Sequence, residues 1–291
     1  MLDARYHLFY SIAIFLMLGF GILIGASYYG PVQMSQQEKA IKTLGAETNA
    51  VVQERNRLQG RLNDDEQALA SLLPALVRGK LAGKKIVLIQ TGDSSEATQT
   101  ANQALEDAGA TVTATVVLTG RWGSLTSRQR AALPSAASDP AAQDKSLLAS
   151  LASALGSGTA APASADAAVP AALQSAGLLT VSGDLSQPCS LFVVVGGSSA
   201  DLPSTAVDPA LLAGFQALAK PVTLVGCEPY SAVSSSVPAY QAAGIATVDC
   251  IDLPLGQIAL PLALRGEAGD YGLKATARQR LPDSLGGTAA P

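Results

Sequence analysis

Histidine is nearly absent from this chain of 291 residues; it occurs once, as His7. A serine or cysteine nucleophile ordinarily relies on an imidazole base. Neither a Ser-His-Asp nor a Cys-His arrangement can therefore be assembled from the residues that follow His7. A zinc site built on histidines falls for the same reason. A Ser-Lys pair stays open, but nothing singles one out. Cysteine is scarce too. Cys189, Cys227 and Cys250, an odd number without a CxxC pair, make no disulfide framework. Each lies in or beside an apolar, strand-like run, where cysteine behaves as a small buried hydrophobe. Methionine occurs only as Met1, Met17 and Met34. With soft ligands so few and so dispersed, no metal site is assigned within one chain. Charged residues make up 14% of the chain, against a usual share of about a quarter, and the net charge is −4. A nucleic-acid binder shows a basic face, so that class is set aside. The chain is read as a non-enzymatic protein without a cofactor.

What the chain does have is uncharged apolar length. From Leu8 to Tyr29, LFYSIAIFLMLGFGILIGASYY runs 22 residues without a charge. A spanning helix needs about 20 such residues, whereas the apolar region of a secretion signal needs about 7–15. Tyr6, Phe9 and Tyr10 mark one end and Tyr28 and Tyr29 the other, as expected at two membrane interfaces. Gly25-Ala26-Ser27 has the composition of a cleavage site, but the length reads as a retained anchor over 1–30. Arg5 precedes the span, while Lys39 and Lys42 follow it closely, so the positive charges are nearly balanced. The short lead favours a single pass in the cell membrane, with the N-terminus cytoplasmic and the rest extracytoplasmic. Glycine costs about 1 kcal/mol relative to alanine in a soluble helix. Within a membrane, Gly21 and Gly25 at GxxxG spacing form a groove where two helices approach closely.

A polar stretch follows Pro31. With Ile41 as heptad position a, the a and d sites include Ile41, Leu44, Val51, Leu58, Leu62, Leu69 and Leu72, with Thr48, Arg55 and Asp65 between them. A 3.5-residue period sustained this long predicts a coiled-coil stalk over 33–73, ended by Pro74. The alternative is one amphipathic helix lying on its own domain. A small-residue face followed directly by a heptad stalk implies a parallel homodimer or a higher oligomer.

Beyond the stalk the pattern changes to strand, helix, strand. Ile86–Gln90 reads as a buried strand, and Asp93 with Glu96 as a capping box for a helix ended by Gly109. Thr111–Leu118 reads as a second strand. Leu191–Val195, Val222–Val225 and Ile245–Ile251 repeat the theme, with helices near 209–220 and 255–264 between and after them. The expectation is a Rossmann-like α/β domain over 80–275, with about five largely parallel strands. Residues 136–172, rich in Ala, Ser, Gly and Pro, read as a mobile surface insertion, with 147–155 as a short helix. Residues 276–291 read as a loose tail.

Two loops follow strands, Thr91-Gly92-Asp93-Ser94-Ser95 and Gly196-Gly197-Ser198-Ser199. Neither matches GxGxxG or a P-loop, and Asp93 would sit poorly beside a phosphate. Near the end, Gly266 to Lys274 reads as a turn, with Asp270, Tyr271, Lys274 and Arg278 as candidate interaction residues. There the alternatives are a recognition edge and a closing turn with Tyr271 tucked against the sheet.

The order of these parts, the junction LVRGKLAGKKIVLI at Leu76–Ile89 and the stretch TVDCIDLPLGQIALPLALRGEAGDYGLK at Thr247–Lys274 resemble the MctB copper-transport protein family. Thr247, Asp249, Gly256, Gln257, Tyr271 and Gly272 carry the most specific part. The resemblance implies an envelope protein acting in copper transport or homeostasis, with some relatives described in the outer membrane. A related branch, SteB, implies a membrane partner, SteA, in envelope assembly or division. On that branch the alternative function is a non-enzymatic dimeric scaffold.

Overall fold

A computed structural model describes residues 3–122, 125–134, 139–159, 166–200 and 207–285, the side chains of 3–5, 26–38 and 40 lying outside that description. The chain divides into two units, Met1–Asp65 and Glu66–Pro291.

The first unit consists of helix, the greater part of α1 (Asp3–Val77). Its segment Tyr6–Gly25, with a mean hydropathy of 2.3, is the one helix among the described residues long and apolar enough to cross a membrane. The helix does not end where the apolar span gives way to the polar stretch; α1 continues through Pro31. A proline forfeits one intrahelical bond and crowds the preceding turn, and a helix can accommodate that within unbroken turns on both sides. Gly21 and Gly25 have open space where a Cβ would stand. Ile41, Leu44, Val51, Leu58 and Leu62 are all exposed on α1, Ile41 by 69%.

The second unit opens with the last turns of α1. Leu72 is exposed and Leu69 half-buried, while Leu73 and Val77 are buried. Pro74 does not stop the helix. Its missing N–H affects only its own bond, and its carbonyl still accepts from Arg78 N at 3.2 Å. Then follow β1 (Lys85–Gln90), α2 (Ser95–Asp107), β2 (Thr111–Leu118), α3 (Ser127–Ala131), α4 (Pro140–Ser157), α5 (Val169–Ser175) and β3 (Leu179–Gly183). The second half holds β4 (Leu191–Val195), α6 (Val207–Gln216), β5 (Thr223–Cys227), α7 (Val237–Ala242), β6 (Ala246–Val248), α8 (Pro254–Leu264) and β7 (Asp270–Tyr271).

The strands form one sheet in the order β3-β2-β1-β4-β5-β6-β7. All neighbours pair parallel except β3, which runs antiparallel to β2 along the edge. The sheet therefore has seven strands rather than about five. β3 escapes a sequence reading because LTVSG offers one large side chain to the core and leaves the rest largely exposed, as an edge allows.

The central strands are continuous apolar runs because both faces are covered. Side chains alternate across the pleat, so Val87, Ile89, Phe192 and Val194 enter one cluster while Ile86, Leu88, Val193 and Val195 enter the other. Helices α4, α5 and α6 cover the first face; α2, α8 and the end of α1 cover the second.

Residues 136–172 correct the sequence reading. Residues 135–138 and 160–165 lie outside the described residues, but the short helix read at 147–155 extends over Pro140–Ser157, with Leu147, Leu148, Leu151 and Leu155 buried against the core. The leucines recur at i, i+1, i+4 and i+8, one helical face, and that face outweighs the disorder-like composition around it. Opposite them, a Cβ at Gly214 would lie 2.8 Å from Ala149 Cα, so α6 and α4 cross closely through small residues. The tail reading is corrected in part. Arg278 N and Gln279 N both donate to Asp270 O, at 2.9 and 3.0 Å, and Leu281 and Leu285 pack on the core. Residues 286–291 lie outside the described residues.

Candidate functional site

The sheet order reverses between β1 and β4: the chain steps from β1 outward to β2, then returns to β4 and proceeds the other way. In such sheets the loops leaving the strand ends diverge at this point and open a crevice. A cleft of about 760 Å³ lies here, lined by the loops after β1, β2 and β4 and by α4 and the start of α6. Both glycine-containing loops meet at its rim. Thr91 N and Gly92 N donate to Val195 O at 2.9 and 3.1 Å, and a Cβ at Gly92 would collide with the Gly197 carbonyl.

Asp93 does not cap α2, as the spacing to Glu96 predicts. Ser94 takes the cap, accepting from Ala97 N at 3.1 Å. Asp93 turns instead to the other loop and accepts from the hydroxyls of Ser198 and Ser199, each at 2.9 Å, and from Ser199 N at 3.1 Å. Burial opposes its charge, but the Ser199 hydroxyl and N–H and the Ser198 hydroxyl outweigh that and hold its carboxyl below the usual range. A phosphate at this rim would need those same donors, which agrees with the absence of a phosphate-binding motif.

Deeper in, the chemistry is different. Asp208, in the first turn of α6, is only 3% exposed, and its Oδ1 has no hydrogen-bond partner among the described residues. The same holds for Thr91 Oγ1 and for the hydroxyl of fully buried Tyr240. An unsatisfied buried polar group costs about 1–3 kcal/mol, so three together need a reason. Burial pushes the Asp208 carboxyl up; the nearby hydroxyls of Thr91 and Ser236 pull it back, and the Glu228 carboxylate adds to the rise. Around this floor the walls are apolar, with Leu118, Trp122, Leu148 and Val207. Trp122 is fixed by donating Nε1–H to Leu178 O at 3.1 Å. Sequence reading missed Asp208 and Trp122. Asp208 stands before a proline at a helix start, where an aspartate reads as an ordinary capping residue.

The C-terminal candidates form a clasp, with Tyr271 tucked against the sheet. Tyr271 is buried in β7 and donates its hydroxyl to Glu267 O at 2.9 Å. No helix forms over 274–278, so Lys274 and Arg278 do not share a helical face. Arg278, exposed over 84% of its side chain, pairs with Asp270 at 3.1 Å. Lys274 Nζ folds inward to Glu228 Oε1 at 2.5 Å and donates to Pro229 O at 2.9 Å. Glu228 is fully buried and also accepts from Ser235 Oγ and Ser236 N. Asp249 receives Leu273 N at 2.8 Å and Lys274 N at 3.0 Å, and Thr247 Oγ1 donates to Asp270 at 3.0 Å. Gly272, at φ 144°, lies so close to the Asp249 carboxylate that a Cβ would collide with it. Several of the residues that carry the family resemblance thus lock the last strand to β6.

For copper, the relevant donors are thiols, thioethers and imidazoles. Cys189, Cys227 and Cys250 are buried free thiols, and burial raises all three. Protonated thiols without access are poor ligands. Among the described residues no group of three His, Cys, Asp or Glu side chains is placed to hold a metal ion.

Comparison with known proteins places these parts together. The profile of the family described as copper transport outer membrane protein, MctB, matches residues 1–282. Proteins named copper transporter MctB from Mycobacterium bovis and from Mycobacterium tuberculosis are 26% identical over 302 residues, covering 94% of this chain and 96% of theirs. The matched stretch begins before the apolar span, takes in the sheet and its cleft, and ends past the clasp. The chain is therefore a member of the MctB family, described as copper transport outer membrane protein.

Proposed function

We propose that this chain works in copper transport or homeostasis as an envelope protein held by its N-terminal span. The observation that carries the reading is the family match over nearly the whole chain, span included. Copper is then cargo. The buried, protonated thiols of the α/β unit do not suit a resident copper ion within one protomer. The contribution of that unit is therefore indirect, through what it binds or positions. Deleting the gene and measuring cell-associated copper by mass spectrometry tests this. The deletion strain should differ from wild type under copper load, and Cys189→Ala, Cys227→Ala and Cys250→Ala variants should each restore the wild-type level. Unchanged copper in the deletion strain sinks the reading; failure of the cysteine variants, if they are stably expressed, sinks the indirect role.

The finer part of the proposal concerns assembly and topology. The N-terminus is cytoplasmic, and the chain forms a parallel homodimer or higher oligomer. Gly21 and Gly25 meet in the membrane, and Ile41, Leu44, Val51, Leu58, Leu62, Leu69 and Leu72 form a coiled-coil seam over 33–73. Supporting it are the exposed aliphatic side chains at heptad spacing and the open space beside both glycines. A membrane-impermeant amine crosslinker added to spheroplasts should trap a dimer. Leu58→Asp with Leu62→Asp should abolish it by placing charge in the seam. Monomer alone from the wild-type chain rules out the assembly or the topology.

A further inference from the structure

The cleft between the β1 and β4 loops contains a carboxyl group that the copper reading does not use. Asp208 lines the cleft, is 3% exposed, and leaves Oδ1 unpartnered among the described residues. Thr91 Oγ1, reaching the same cleft from the end of β1, is buried and unpartnered as well. The other carboxylates nearby are satisfied. Asp93 accepts from Ser198 and Ser199, Glu228 pairs with Lys274, and Asp144 pairs with Arg130 at 2.6 Å. Asp208 takes part in none of the ion pairs among the described residues. A buried carboxyl calls for a compensating charge or donors, and although the Thr91 and Ser236 hydroxyls lie near Asp208, none of the described residues makes a hydrogen bond to Oδ1. The walls around it, Leu118, Leu148, Val207 and Trp122, call for an apolar body.

We propose that the cleft binds a small organic cation, an apolar body ending in an ammonium or amidinium group that donates to Asp208 Oδ1 while the Thr91 hydroxyl accepts a second N–H. The donor set is oxygen only and suits neither Cu(I) nor a thiophilic metal. The site therefore stands apart from the copper reading and does not rest on it. A bound cation would also offset the burial that raises the Asp208 carboxyl.

The chain contains a single tryptophan, and Trp122 lies in the wall of this cleft, so its emission reports on occupancy. The full chain in neutral-detergent micelles is titrated with phenethylamine, with its neutral counterpart 2-phenylethanol and with the anion 3-phenylpropionate. Benzamidine is followed in parallel by calorimetry. A saturable change in Trp122 emission is expected with phenethylamine. Binding should be at least about tenfold weaker for 2-phenylethanol, the loss of one charge-assisted hydrogen bond, and absent for 3-phenylpropionate. Asp208→Asn should lose the preference for the amine while melting no lower than wild type, since it removes an unpaired buried carboxyl. Thr91→Val, which keeps the shape and removes the hydroxyl, should give a smaller loss. Equal binding of amine and alcohol overturns the proposal in favour of a neutral ligand. An unaltered response in Asp208→Asn, or no saturable binding of either phenethylamine or benzamidine, overturns it outright.

Discussion

Replacing Lys274 by methionine is expected to remove about 3–5 kcal/mol of stability, because it leaves the fully buried Glu228 carboxylate without its cation. For a domain of this size that lowers the melting temperature by on the order of 10 °C. Methionine keeps the length and apolar stem of lysine, so the loss reports on charge rather than on packing. Adding Glu228→Gln to Lys274→Met should recover most of it. A glutamine oxygen can still accept from Ser236 N, which donates to Glu228 at 2.7 Å in the native protein. Thermal unfolding of wild type, both single variants and the double variant closes the cycle. A single-variant loss below about 1 kcal/mol would mean that the pair behaves as an exposed one and that the clasp is not held by it.

The second large effect belongs to α4. Leu151→Ala should cost about 2–5 kcal/mol, the usual range for deleting a fully buried leucine. Leu151 lies in the cluster formed with Ile89, Phe192 and Leu211, so the cavity opens in the core between the sheet and the helices that cover it. If residues 136–172 formed a mobile insertion, the same substitution would leave the stability within about 0.5 kcal/mol of wild type. Chemical unfolding followed by circular dichroism distinguishes these outcomes without any knowledge of function.

Some of this molecule was legible in one dimension. The span at 6–25 declares itself because its length and lack of charge are local properties that no later contact can change. The strands β1, β2 and β4 and the termination of α2 at Gly109, where φ is 88°, were readable for the same kind of reason. Short apolar runs, turn residues and backbone handedness are written residue by residue. Composition was a poor guide where it averaged over a pattern. The leucines of 147–155 marked a helix, but the alanine and serine around them hid its full length, Pro140–Ser157, and the burial of its face, since a mean cannot show a periodicity.

The site was not legible, and the reason is physical. Thr91, Trp122, Asp208 and Ser236 come from four separate segments, and no spacing rule links them. They meet because β4 returns to the far side of β1, a strand order decided by which faces bury best together. Tyr271 shows the same division on a smaller scale. Its glycine-rich surroundings marked a turn correctly, but whether the ring faced solvent or the core depended on Asp249, more than twenty residues away, capturing Leu273 N and Lys274 N. The sequence alone determined the apolar segment long enough to span a membrane, the α/β class and the family resemblance, because each rests on neighbours along the chain. The tertiary structure alone decided which carboxylates are paired and which one is left unpaired in a cleft, because charge compensation depends on distance in space.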